Sequence, residues 1–155
     1  MSKIEGIIRQ CQFGIHDISF MKLDKKTKLP RFNMPLELGM FLAAKGFGRG
    51  QQKRKVALIL DEDGYRYRAA ISDLSGQDIT NHRGHERLAI REVRDRLDAA
   101  HQRKASLPGG DYIWQQYRKF SKQLPAASAS QKLNARNLTY PDVCRAIESW
   151  LENNA

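Results

Sequence analysis

The chain has 155 residues, 41% hydrophobic and 28% charged, which suits one core-bearing domain and is too apolar for a disordered tail. Lys and Arg outnumber Asp and Glu by 27 to 17, a net charge of +10, of which residues 1–103 carry +7 and residues 104–155 carry +3. This excess favours anionic partners, whether a phosphate-bearing small molecule, nucleic acid or an acidic protein surface, and excludes none of the three.

Other classes fall quickly. No apolar run approaches the roughly 20 residues of a membrane span, and Met1–Gly6 has no signal-peptide apolar region. Cys11 and Cys144 lie 133 positions apart, so no disulfide framework is implied. His82 and His85 have no Cys pair at zinc-ligand spacing. The expectation is a cytoplasmic protein with no membrane partner, no metal site and no resident cofactor.

In chain order, Ile4–Gln10 predicts a short helix with Ile4, Ile7 and Ile8 on one face. Cys11–Ile18 alternates as a strand, with Cys11, Phe13 and Ile15 on one side and an end near His16-Asp17. Lys22–Arg31, with five bases and one acid, reads as a solvated turn. Pro35–Ala44 predicts a buried helix with Pro in its first turn. Lys45–Lys55, with five bases and three glycines, predicts an exposed loop. Val56–Leu60 is a continuous apolar run, as expected of a strand covered on both faces, closed by an acidic turn at Asp61-Glu62-Asp63-Gly64.

Tyr65–Asp73 reads as helical, and Ser75–Thr80 as a short strand or loop. Glu86–Gln102 predicts an amphipathic helix through Leu88, Ile90, Val93 and Leu97, with Arg83, Arg87, Arg91, Arg94 and Arg96 along or beside it. A helix is predicted over Asp111–Leu124, a linker over Pro125–Asn137, and a last helix from an N-cap at Thr139 to about Asn153. The pattern is an α/β core over residues 1–103 and a helical C-terminal extension over 104–155. Two strands do not make a core, so either the loops hide more or a partner subunit supplies them.

Chemistry concentrates at Glu37, the only charge between Met34 and Ala44. A carboxylate among Met34, Leu36, Leu38, Met40, Phe41 and Leu42 is costly unless bonded or employed. With Met34 pushed out of helical geometry by Pro35, Glu37 becomes the third helical residue, where free N–H groups and the helix dipole favour negative charge. A structural capping role fits the same position. His16 on its strand reads as a packed polar residue or a proton shuttle. Trp114, Tyr117, Phe120 and Leu124 recur at core-helix spacing.

Cys11–Ser19 (CQFGIHDIS), Leu29–Gly39 (LPRFNMPLELG) and Lys55–Asp61 (KVALILD) together resemble the strand–loop–helix–strand core of the TIR-like and nucleoside 2-deoxyribosyltransferase-like superfamily. With Ile71–Ile79 (ISDLSGQDI) added, the resemblance is to a bacterial subgroup of uncharacterised TIR-like proteins, over roughly residues 3–97. It implies a flavodoxin-like small parallel sheet flanked by helices, and cleavage or transfer at an N-glycosidic bond of a nucleoside, a nucleotide or NAD, the last as substrate. The family's catalytic glutamate falls on Glu37. Asp17 and Asn33 would hold ribose hydroxyls, Arg31 a phosphate, and His16 would serve at the same site. A role in bacterial defence or stress signalling follows only from the resemblance. Family members usually place a strand and helix ahead of the segment matching Ile4–Gln10, and that missing part supplies a central strand. The shortened pattern keeps open a non-catalytic module that assembles as a homo-oligomer, and the +10 charge with the arginines around residues 83–96 keeps open a basic nucleic-acid-binding protein, for which no motif speaks.

Overall fold

The computed structural model describes residues 2–21, 26, 28–64, 66–69, 71–100 and 106–154. The chain divides into two compact units, Met1–Leu107 and Pro108–Ala155. Among the described residues no helix is long and apolar enough to cross a membrane.

The first unit is mixed α/β. Helix α1 (Ser2–Gln10) leads into strand β1 (Phe13–Asp17), helix α2 (Asn33–Phe47), a 3-10 turn (Gly50–Arg54) and strand β2 (Val56–Asp61). Two more 3-10 turns (Arg66–Ala69 and Ser72–Gly76), strand β3 (Ile79–Asn81) and helix α3 (Glu86–Ala100) complete it. Among the described residues the sheet is three-stranded, all parallel, in the order β1-β2-β3. The strand hidden in the loops is therefore β3, at the end of Ser75–Thr80. The helix expected over Tyr65–Asp73 is two separate 3-10 turns, with Tyr65 itself outside the described residues. Half of the solvated turn read at Lys22–Arg31 also lies outside them, as do the last residues of the helix expected to reach Gln102.

The register runs from Phe13↔Val56 to Asp17↔Leu60, and Ile59 pairs with Ile79. β1 thus pairs directly with β2 and, among the described residues, forms one edge of the sheet. The core lies between α2 and one face of the sheet: Ile18, Leu38, Ile59, Tyr67 and Leu74, flanked by Leu42 and Ala57 among others. Leu58 and Leu60 are buried too, toward the face where α3 packs on β2.

The structure decides which side of β1 is covered and corrects two expectations. The core side of β1 is that of His16, with Ile18 just beyond the strand; Ile15 on the other side is 45% exposed. Alternation fixes two faces but not which one the helix covers, and α2 lies over the Gly14–His16 side. α2 begins at Asn33, two residues before the predicted start. The Leu36 amide donates to the Phe32 carbonyl at 3.0 Å and closes the first turn. Pro35 lies within that turn, where its missing N–H costs nothing. The exposed loop expected over Lys45–Lys55 is instead the end of α2 and a 3-10 turn, and Lys55 is only 2% exposed.

The second unit consists of helix α4 (Gly110–Ser130) and helix α5 (Tyr140–Asn154). The linker expected from Pro125 is partly helical, because α4 carries Pro125 inside it. Ser121 and Pro125 are both exposed, so water can take the carbonyl that the missing N–H leaves free. Phe120 meets Trp150 edge to face at 5.9 Å, and Trp150 Nε1 donates to Gln123 Oε1 at 2.6 Å. At the start of α5, Thr139 Oγ1 donates to Asp142 Oδ2 at 2.6 Å and accepts from the Asp142 amide at 3.4 Å, a reciprocal cap.

Candidate functional site

β1 and α2 place His16 and Glu37 on one cleft. The cleft, about 240 Å³, lies beside β1, walled by Ile4, Ile7 and Ile8 of α1, by residues 13–16 and by Phe41. Glu37 is the only carboxylate in its lining. Its side chain makes no hydrogen bond or ion pair among the described residues. Because α2 starts at Asn33, Glu37 is the fifth helical residue and not the third, and no acidic residue occupies the first turn. The dipole argument for a capping Glu37 is weakened accordingly, since that effect fades beyond the first turn.

His16 is 6% exposed, and neither ring nitrogen has a hydrogen-bond partner among the described residues. Burial pushes its pKa below the ordinary imidazole value, so at neutral pH it is an uncharged ring with one N–H and one lone pair. It meets Phe41 edge to face at 5.2 Å. Gly14 is what permits this arrangement: a Cβ there would lie 2.6 Å from His16 Nε2 and 2.8 Å from the Phe41 ring.

The other three expected residues stand apart from that cleft. Asn33 is exposed on the first turn of α2, four residues before Glu37 and so on the same helical face. Arg31 is exposed just ahead of the helix. Asp17 ends β1 and belongs to a second constellation. Its Oδ1 accepts the Ser19 amide at 3.0 Å and the Ser19 hydroxyl at 2.5 Å. Ser19 Oγ lies 3.0 Å from His82 Nε2, and His82 Nε2 lies 3.7 Å from Asp17 Oδ1. With the hydroxyl proton given to Asp17, Nε2 of His82 is the donor to Ser19, and the buried Nδ1 is left without a partner among the described residues.

This constellation spans the C-terminal ends of the strands, where open α/β sheets gather ligands. The backbone extends there beyond the ladder: the Ile18 amide donates to Leu60 O at 2.9 Å and the His82 amide to Asp61 O at 3.0 Å. Asp61 is 4% exposed, and burial pushes its pKa up, against the pull of the Asp63 and Glu62 amides. Sequence reasoning missed Ser19 and His82 as site residues and read Asp61 as a turn. Their signal was positional, since each stands at or just beyond a strand end. Among the described residues no group of three or more His, Cys, Asp or Glu is arranged to hold a metal ion.

The arginines around residues 83–96 are largely committed. Arg96 meets Asp78 at 3.2 Å, and Arg94 meets Asp95 at 3.0 Å and Asp98 at 3.5 Å. Arg94 also donates to Ser106 Oγ at 2.7 Å and to the Leu107 carbonyl, while the Leu107 amide donates to Asp98 at 2.7 Å.

No protein-family model matches the chain, and no curated protein or solved structure is significantly similar to it.

Proposed function

We propose that the first unit is a flavodoxin-like, TIR-like domain that cleaves or transfers at the ribose–base bond of a nucleotide such as NAD, with Glu37 as its working carboxylate. The observation that carries this reading is the Glu37 side chain, unbonded and facing a largely apolar cleft that it shares with a neutral, unpartnered His16. Breaking a C1′–N bond sends the electron pair to the departing base and builds positive charge on the ribose. A bare carboxylate beside the ring stabilises that charge or traps it as an ester. The water or alcohol that then adds to C1′ must lose a proton, and an uncharged imidazole accepts it. Asn33, one turn from Glu37, reaches a ribose hydroxyl, and Arg31 meets a phosphate. Asp17 is tied to Ser19 and His82 and drops out of the ribose-binding set in this reading.

The test is release of nicotinamide from NAD, and of free base from nucleosides and nucleotides, by the full chain and by Glu37→Gln. The wild type turns over at least one of these substrates. The variant keeps its fold by circular dichroism and loses about a hundredfold or more in rate. Equal rates in the two proteins refute the assignment.

One observation favours a second reading, a non-catalytic assembly module. β1 is an edge strand, and Ile15 on it and Ile7 of α1 are both largely exposed. Sedimentation that shows a concentration-dependent oligomer broken by Ile15→Lys, together with no turnover of any nucleotide, decides for the module.

A further inference from the structure

At the opposite end of the sheet from the strands' C-termini lies a cavity of about 300 Å³. It is lined by Arg9, Gln10, Cys11, Gln12, Gln51, Gln52, Arg54 and Lys55. Every one of these side chains is polar or a thiol; three are cationic and none is acidic. Arg9 and Arg54 are exposed, and neither guanidinium has an ion-pair partner among the described residues.

The walls are fixed by contacts between segments far apart in sequence. Gln52 Nε2 donates to the Arg9 carbonyl at 2.9 Å, and the Val56 amide donates to the Gln12 carbonyl at 2.9 Å. Lys55 Nζ donates to the Ile8 and Cys11 carbonyls and lies 4.7 Å from the centre of the Phe41 ring. This last contact bears on ligand choice. The carbonyls at the end of α1 present partial negative charge, which would oppose an anion at this spot. Lys55 engages that of Ile8 and the Cys11 carbonyl just beyond the helix, so this opposition to the positive field of Arg9 and Arg54 is reduced. Beside Gln52, which is committed to the wall, the amide side chains of Gln10, Gln12 and Gln51 offer further donors that carry no charge of their own.

We infer that this cavity is a binding site for a small phosphate-bearing anion, of pyrophosphate or nucleotide-phosphate size, held by the Arg9 and Arg54 guanidinium groups. Forked guanidinium donors match phosphate oxygens in pairs, and two unpaired forks on one acid-free cavity suit a doubly or more highly charged group better than a single carboxylate. Nothing here depends on Glu37 being catalytic, because the cavity shares only Cys11 with the lining of the Glu37 cleft.

The test uses the full chain and inorganic pyrophosphate at constant ionic strength. Calorimetric titration is expected to saturate, and Arg9→Gln with Arg54→Gln to weaken binding by about tenfold or more. Arg49→Gln with Lys53→Gln removes the same charge from outside the cavity lining and is expected to change binding by less than about threefold. A readout independent of any variant is alkylation of Cys11, an exposed thiol on the cavity wall, with the half-buried Cys144 as internal reference. Pyrophosphate is expected to slow modification of Cys11 and leave Cys144 unchanged. No saturation, no protection of Cys11, or equal losses in the two double variants overturns the assignment. Protection by a single-stranded oligonucleotide at lower phosphate concentration than pyrophosphate also overturns it, in favour of a polymer.

Discussion

Gly14→Ala probes the inner wall of the Glu37 cleft. The added Cβ would lie 2.6 Å from His16 Nε2 and 2.8 and 2.9 Å from Cε2 and Cζ of Phe41. Favourable contacts between such atoms start at about 3.5 Å, so the rings must retreat by roughly 0.6–0.9 Å. Phe41 is buried in α2 under Lys55 and has little room. His16 borders the cleft and can turn into it. Overpacking of this kind costs about 1–3 kcal/mol, and the stiffer unfolded chain offsets about 0.4–1 kcal/mol of it. The imidazole's way out places the net loss near the low end, about 1 kcal/mol. At a urea slope of about 1–3 kcal/mol/M, the midpoint falls by roughly 0.3–1 M. Trp114 and Trp150 both lie in the second unit, so tryptophan fluorescence follows the wrong part of the chain. Hydrogen exchange at the β1 and β2 amides is the proper readout, with the His16 ring followed by NMR. Unchanged or greater stability, or a loss with the His16 resonances unmoved, refutes the contact analysis.

Asp61→Asn is expected to stabilise the chain at neutral pH. Burial raises the folded-state pKa of Asp61, so the native state holds its proton more tightly than the unfolded chain does. Its favourable contribution is complete below the ordinary carboxyl range and is lost as pH rises through the folded value. The variant's advantage at pH 7 therefore shrinks toward about pH 4, as urea midpoints at the two pH values will show; an equal advantage at both would contradict it. Lys55→Met keeps an apolar stem against Phe41 but leaves the Ile8 and Cys11 carbonyls without their ammonium. A loss of about 2 kcal/mol is expected, with faster exchange of the α1 amides; unaltered α1 protection would show that the ammonium does not secure that helix.

The sequence made the elements with strong periodicity legible. Val56–Leu60 is a buried strand because five apolar residues in a row leave no solvent face, and Glu86 onward is a helix because Leu88, Ile90, Val93 and Leu97 make one stripe. Thr139 heads α5 for the expected reason, through its exchange with Asp142. What escaped depends on neighbours. The covered side of β1 was set by where α2 lies, and β3, three residues long, carries too little pattern to separate from a loop. Lys55 sits in a run of bases that reads as solvated, yet the Ile8 and Cys11 carbonyls at the end of α1 and just beyond it draw it inward. Of the candidate site, Glu37 stood out as a charge in an apolar stretch. That it would share a cleft with His16, while Asp17 turned to Ser19 and His82, required the fold.

The clasp formed by Arg94 and Asp98 on Ser106 and Leu107 has a practical consequence for dissecting this chain. A fragment cut after residue 103, where composition changes, would strip α3 of the tail that ties down its last turns and leave a guanidinium without its carbonyl. A cut after residue 107 keeps the knot and gives the α/β half its natural selvage.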